Sequence, residues 1–274
     1  MNEQTKNKIG VVYTCITGGY DKLYDHTFIN PQWDYVCFAD DLSIKDIGDT
    51  LWEIRPLVFA ASDNIRNSRW HKVHSHILFP DYGKSIYVDA NVNILNRGVF
   101  DDVDKVIKER IKLSLAPHPE RDCLYDELTT CILLGKDNRE TMEIQVDMIR
   151  KDGFPRKQGL FESNIIFREH HDTNVIAVMT DWWWWILNYS RRDQLSLTYV
   201  LWKHNIKITS LSGMSYRYSD KIDITYGDQH ITKEELILQR DRLLLKNAES
   251  LFRKIQKELN RFIRRIRGWM NHVK

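Results

Sequence analysis

Apolar residues fall first in short, nearly unbroken runs and later at helical spacing. Ile9 to Ile16 (IGVVYTCI) reads as a strand buried on both faces. It ends in the turn-rich Thr17-Gly18-Gly19-Tyr20-Asp21. Tyr35 to Ala39 predicts a second strand, stopped by Asp40-Asp41, and Trp52 to Leu57 a third. Ile65, Trp70, Val73, Ile77 and Leu78 share roughly one helical face, and Pro80-Asp81-Tyr82-Gly83 ends that helix. Ser85 to Val88 is a short strand running into Asp89-Ala90-Asn91.

The second half is mainly helical. Val103, Val106, Ile107 and Ile111 predict a helix with Asp101 and Asp102 near its start, where the helix dipole favours carboxylates. Leu124 to Ile132 and Met142 to Ile149 predict two more. Phe161 to Phe167 reads as a strand, Val175 to Leu187 and Leu195 to Trp202 as helices, and Ile206 to Leu211 as the last strand. Strands separated by helical crossovers predict an α/β domain with a mostly parallel sheet. Ligands of such sheets sit beyond the carboxyl ends of the strands, which directs attention to Thr17–Asp21, Asp40-Asp41 and Asp89–Asn91. From Thr232 the 3.6-residue period continues through Trp269, so the chain divides into a body, 1–231, and an appended amphipathic helical segment, 232–274.

Composition narrows the class. The 274 residues are 42% hydrophobic and 28% charged, values of a globular chain rather than a disordered one. The longest apolar run is six residues, Trp182 to Leu187, against roughly 20 for a membrane span and about 7–15 for a signal-peptide core. Cys15, Cys37, Cys123 and Cys131 have no CxxC spacing, which argues against a disulfide scaffold and a thiolate zinc site. A cytoplasmic protein is expected. Residues 249–274 hold eight Lys/Arg against two Glu, leaving the rest at net −4 in a chain of net +2. Basic charge confined to the tail, without a recognition motif, argues against nucleic-acid binding.

Several clusters have alternative readings. Asp89 and Asn91 are two hard oxygen ligands at a strand end that can reach one Mn²⁺ or Mg²⁺; the alternative is a strand-terminating turn. Thr17–Asp21 either approaches a nucleotide, Tyr20 stacking on its base, or is a plain turn; it is neither a Walker loop nor a full GxGxxG. Arg69 and Lys72, three apart, either hold phosphates or form a solvated basic face. His71, His74 and His76 lack the carboxylate or thiolate of a familiar zinc spacing. Ser190 or Asp193 is a candidate helix N-cap. Trp182–Trp185 covers every side of a helical turn, so at least one ring cannot share its neighbours' core.

Six blocks in order carry a resemblance: VVYTCITGGYD (11–21), RWHKVHSHILFP (69–80), SIYVDANVNI (85–94), HPERDCLYDE (118–127), QGLFESNIIFREH (158–170) and SRRDQLSLTYVLWK (190–203). Over about residues 9–210 the chain resembles a glycosyltransferase-like domain family with bacterial members and members among plant mucilage- and pectin-related proteins. The resemblance implies a GT-A type, Rossmann-like fold that binds a nucleoside-diphosphate sugar with Mn²⁺ or Mg²⁺. The residues themselves suggest Thr17, Gly19, Tyr20, Asp21 and Asp40 at the nucleotide and Arg69 and Lys72 at the phosphates, and the resemblance implies Asp89 with Asn91 at the metal. Asn91 stands where that superfamily has a second Asp and is a weaker ligand. The resemblance further implies Asp193 and Gln194 as an acceptor-side Asp-Gln pair with Asn164 on the strand before it; Asp193, Glu162 and His118 are the expected catalytic groups, with Asn164, Arg121 and Gln194 also at the nucleotide sugar. The acceptor would be a glycan or a lipid-linked glycan, and a second copy of the chain is among the expected partners. Residues 249–274, with Phe262, Ile266 and Trp269, suit an anionic membrane surface at the inner face of the cell membrane, or a helix packed on protein. One branch of the family is linked to ceramide hydrolysis. A hydrolase using His118 with Asp122 or Glu127, and a non-catalytic carbohydrate- or membrane-binding protein, therefore remain open.

Overall fold

The computed structural model describes residues 8–20, 22–43, 50–225 and 252. The chain divides into two units, Met1–Ile132 with Asp137–His230, and Leu133–Lys136 with Ile231–Lys274. The expected 232–274 helix, its basic stretch 249–274 and its boundary with the body lie outside the described residues, Phe252 excepted. Among the described residues no helix is long and apolar enough to cross a membrane.

The first unit is built on a seven-stranded sheet. In chain order its strands are β1 (Gly10–Ile16), β2 (Trp33–Ala39), β3 (Glu53–Pro56), β4 (Ser85–Val88), β6 (Leu113–Pro117), β7 (Phe161–Arg168) and β8 (Thr209–Ser210). Their spatial order is β3-β2-β1-β4-β7-β6-β8. Pairings are parallel except those of β7, which runs antiparallel to both β4 and β6. The sheet is thus mostly parallel, as expected. A second sheet pairs β5 (Val92–Ile94) antiparallel with β9 (Ile222–Ile224).

Helices α1 (Asn64–Val73), α2 (Ser75–Leu78), α3 (Gly98–Lys108), α4 (Leu124–Leu133), α5 (Arg139–Lys151), α6 (Thr173–Asn188) and α7 (Leu197–Lys203) flank the sheet. Every residue of β1 is buried, which explains its unbroken apolar run. Val11, Tyr13 and Cys15 enter one core with Val178, Met179 and Trp182 of α6. Val12 and Ile16 enter the opposite core with Val99, Phe100 and Val103 of α3. Gly10 is required by close approach, because a Cβ there would lie 2.4 Å from the Lys84 carbonyl oxygen and 2.7 Å from the Trp33 ring.

Caps set the helix starts. Asp63 accepts from the N–H groups of Ile65 and Arg66 at α1, Asn138 from Thr141 at α5, and Asp172 from Asn174 and Val175 at α6. The Ser190/Asp193 cap expectation is corrected: Asp193 opens a 3-10 turn, Asp193–Leu195, and α7 starts from Ser196 without a side-chain cap. Of the tryptophan run, Trp182 and Trp185 are buried and Trp184 is 48% exposed.

His71 and His74 are held by bonds within the fold. His71 donates from Nδ1 to the Asn67 carbonyl and accepts the Val58 N–H at Nε2. His74 bonds the Trp70 carbonyl and stacks on the Trp70 ring. Among the described residues no group of three or more His, Cys, Asp or Glu could hold a metal ion.

Burial lowers the pKa of His26, His71, His74 and His170 from 6.5 to about 4. Folded pKa values below the unfolded one mean that the unfolded chain binds more protons between those limits. Stability is therefore greatest above about pH 6.5 and falls as the pH drops toward 4. Urea unfolding at pH 7.5, 6.0 and 5.0 will show a falling midpoint at constant slope; a flat midpoint would contradict the neutral burial of these rings.

Candidate active site

Strand direction brings the selected residues to one sheet edge. Strands β1, β2, β4 and β6 run the same way, so Thr17–Tyr20, Asp40, Asp89 and His118 all follow carboxyl ends. The antiparallel β7 begins at that edge and supplies Glu162, Ser163 and Asn164 from its first turns of pleat.

A bulge then re-aims β7. Against β6, Leu115 pairs with Ile166 but Ala116 with Glu162, so residues 163–165 have no partners on that side. The change of phase puts Ser163 on the same side as Arg168, facing α1, while Ile165 and Phe167 keep the opposite core. The Asn164 carbonyl accepts the Asp89 N–H at 2.8 Å, tying the bulge to the end of β4.

Lys72, on the last turn of α1, is 1% exposed. Its ammonium donates to Asp193 Oδ2 at 3.0 Å, Ser163 Oγ at 3.0 Å and Asp89 Oδ1 at 3.3 Å, which uses all three N–H groups. It also stands 4.9 Å over the Tyr87 ring. The Ser163 hydroxyl donates onward to Asp193 Oδ2 at 2.8 Å. Arg69, one helical turn earlier, lies 3.3 Å from that same oxygen through Nε, an ion pair without hydrogen-bond alignment.

Burial alone would raise the Asp193 carboxyl, but the charges of Arg69, Lys72 and Arg192, with the Ser163 hydroxyl, hold it well below the usual carboxylate range. For Arg69, burial works against the charged form, and Asp193 and Asp89 outweigh it, so its pKa is raised. Asp89 differs from Asp193 in keeping 33% of its side chain exposed. With the half-buried Asn91 it presents one carboxylate and one amide at the strand end, an oxygen donor pair that fits a hard divalent cation completed by ligand and water oxygens. The turn is fixed by Val92 N–H to the Asp89 carbonyl and Thr225 N–H to the Asn91 carbonyl.

The loop after β1 is tied to both neighbours. The Thr17 hydroxyl donates to the Asn64 carbonyl at 2.7 Å, and the Gly18 N–H donates to Asp40 Oδ2 at 2.6 Å. Gly18 has φ +66°, and a Cβ there would lie 2.3 Å from the Asn64 amide. Gly19 also has positive φ, with open space where a side chain would be, and Tyr20 is half exposed. Asp21 lies outside the described residues.

A second cluster lies around Glu127. Arg121 Nε donates to Glu127 Oε2 at 2.6 Å, Arg192 lies 3.8 Å from Glu127 Oε1, and Arg192 donates to Gln194 Oε1 at 2.7 Å. His118 accepts the Glu120 and Arg121 N–H groups at Nδ1, and burial followed by the Arg121 charge lowers its pKa to about 4. That nitrogen is therefore engaged in holding its loop. Glu162 is buried, accepts the Ser215 hydroxyl at 2.6 Å and ion-pairs with Arg217; its pKa is raised, by burial first. Both amide atoms of buried Asn164 have no hydrogen-bond partner.

The structure therefore joins Arg69, Lys72, Asp89 and Asp193 in one network, and His118, Arg121 and Gln194 in another. One expectation changes. Lys72 has no N–H left for a phosphate, because its donors are all spent inside the protein. Glu162 is tied to Ser215 and Arg217. Sequence reasoning did not select Ser163, Arg192, Ser215 or Arg217. The first two stand beside selected residues, and the last two come from a loop with no motif.

A family model described as TOD1/MUCI70, glycosyltransferase-like domain, matches residues 2–217. No curated protein matches by sequence. Among solved structures the chain is similar to mouse xyloside xylosyltransferase 1 in its apo form, at 9% identity and TM-score 0.43, covering 74% of this chain and 84% of that one. It is also similar to the apo bifunctional glycosyltransferase WbbM, at 10% identity and TM-score 0.40, covering 77% of this chain and 40% of that one.

Removing Lys72 leaves the Asp193 carboxylate buried with fewer partners. Lys72→Met is expected to cost about 3–5 kcal/mol in urea unfolding. Asp101→Asn, which breaks the exposed Arg97–Asp101 pair, should barely move the midpoint. Equal effects would mean that the Lys72 network is no stronger than a surface pair.

Proposed function

The chain belongs to the TOD1/MUCI70 glycosyltransferase-like domain family, and from that premise we propose that it transfers a sugar from a nucleoside-diphosphate donor to a glycan or lipid-linked glycan hydroxyl, with Mn²⁺ or Mg²⁺. The observation that carries the reading is Asp89: a partly exposed carboxylate at the carboxyl edge of the sheet, backed by the buried cation Lys72 and the partly buried Arg69. Asp89 and Asn91 would hold the divalent cation, which when bound neutralises charge on the departing diphosphate.

The protein's own groups divide the remaining work. Thr17, Gly19 and Tyr20, with Asp40 beside them, form the nucleotide wall, the positive φ of Gly19 letting the backbone approach closely. Arg69 and Lys72 contribute fixed positive potential from behind Asp89; for Lys72 this is charge alone. Asp193, held ionised, is a permanent negative charge suited to a sugar ring that becomes cation-like as its bond to the diphosphate breaks. It is a poor general base, because such a group works best with a pKa near the operating pH. Glu162, whose pKa is raised, is assigned to the acceptor side. Asn164 offers an unpartnered donor and acceptor to sugar hydroxyls. His118, neutral at pH 7, lines the acceptor side with Arg121 and Gln194. The basic segment 249–274 suits an acceptor presented at an anionic surface.

The test is thermal shift with uridine or guanosine diphosphate, with and without Mn²⁺. Wild-type protein should gain several degrees only when both are present, corresponding to about 2.7 kcal/mol at a hundredfold excess over Kd. Asp89→Ala should lose that coupled gain and the associated sugar transfer. Metal-coupled stabilisation that survives in Asp89→Ala would overturn the assignment.

A further inference from the structure

Arg168 is fully buried and forms no ion pair with any carboxylate among the described residues. An uncompensated guanidinium in a core is costly, and an apolar side chain of similar volume would usually pack there at lower cost. Besides a contact from Nη1 to the Met179 sulfur at 3.4 Å, its hydrogen bonds lead to one backbone atom. Nη1 donates to the Lys72 carbonyl at 2.7 Å, and Nη2 donates to the Tyr13 hydroxyl at 2.6 Å. The Tyr13 hydroxyl donates to the same Lys72 carbonyl at 2.8 Å, closing a triangle. That carbonyl lies in the last turn of α1, where carbonyls have no partner within the helix and the negative end of the helix dipole gathers. The helix end is thus the counter-charge of the buried guanidinium.

Lys72 is consequently gripped at both ends by β7. Arg168 holds its carbonyl, while Ser163, five residues earlier on the same strand, takes its ammonium. Tyr13 on the interior strand β1 fixes the carbonyl from a third direction. A lysine stem anchored at both termini has few rotamers left, so the backbone position decides where the ammonium stands.

We propose that Arg168 and Tyr13 are positioning residues, which set the placement of the Lys72 ammonium among Asp89, Ser163 and Asp193 by fixing the Lys72 carbonyl. The consequence for turnover rests on the transferase reading above; the consequence for Lys72 itself does not. Arg168→Met would also open the core, so Tyr13→Phe, which removes one oxygen, carries the test, with Arg168→Lys beside it.

Two readouts are taken on the full chain. The first is the rate of Lys72 acetylation by N-hydroxysuccinimidyl acetate, followed by mass spectrometry and compared with amide hydrogen exchange in β1 and β4. In Tyr13→Phe acetylation should rise about tenfold with core exchange unchanged, and in Arg168→Lys it should rise less. The second is sugar transfer, where kcat should fall about tenfold with KM within about twofold, as expected for a misplaced charge rather than lost ligand contacts. Lys72 acetylation unchanged in both variants, or rising only in step with exchange throughout the core, would overturn the proposal. Acetylation that rises as expected in a protein that turns over no nucleotide sugar would uphold the positioning role and remove the transferase reading.

Discussion

A single ammonium sets the charge pattern of this edge of the sheet. Lys72 is out of water and bonded to three oxygens, two of them on carboxylates 104 positions apart in the chain, Asp89 and Asp193. Removing such charges from solvent is expensive, and only close, fully used geometry offsets it. That condition is met here: every ammonium N–H has an acceptor, and Asp193 Oδ2 receives Lys72, Ser163 and the nearby Arg69. An apolar core would have been the simpler way to fill the space. A buried network of this kind orders four separate elements around one point, and the two carboxylates it holds end up in different environments.

Four local features deliver those groups. The Asp63 cap starts α1 so that Arg69 and Lys72 fall three apart on one face. The end of β4 releases Asp89 into a turn pinned by Asn164. The β7 bulge reverses the pleat so that Ser163 faces α1 although Arg168, an odd number of residues away, does as well. The 3-10 turn at Asp193 is anchored by the Trp182 indole, which donates to the Asp193 carbonyl at 2.9 Å. A ring from the tryptophan run therefore serves the site through packing rather than by touching a ligand.

What the chain reveals without coordinates follows from the range of each interaction. The strands β1 and β4 are legible because burial on both faces leaves a nearly continuous apolar run, β7 through its Ile165-Ile166-Phe167 stretch, and α5 and α6 because their buried stripes recur at helical spacing. Strands β5, β6 and β9 are not, being short and adjacent to helices or loops with similar apolar content. Asp89 is legible as a carboxylate at a strand end, and Arg69 with Lys72 as a helical pair. The contact between Lys72 and Asp193 spans 121 positions and depends on the bulge, which leaves no periodic trace in FESNIIFR. Charge pairing at that distance is a property of the fold, and the basic face read from α1 is turned inward by it.

The contrast between Asp89 and Asp193 then separates two environments within one network. Asp193 is enclosed, saturated and held ionised, so its charge is a fixed part of the site before any ligand arrives. Preorganised charge of this sort needs no rearrangement of the protein when a ligand arrives. Asp89 shares the same ammonium but keeps a third of its side chain open to solvent. The loop of Thr17 to Tyr20, tied to Asn64 and Asp40 at the same edge, stands on the exposed side of this arrangement. A buried electrostatic floor and an accessible rim are thereby built from neighbouring residues, Lys72 and Asp193 below and Asp89 with the Thr17–Tyr20 loop above.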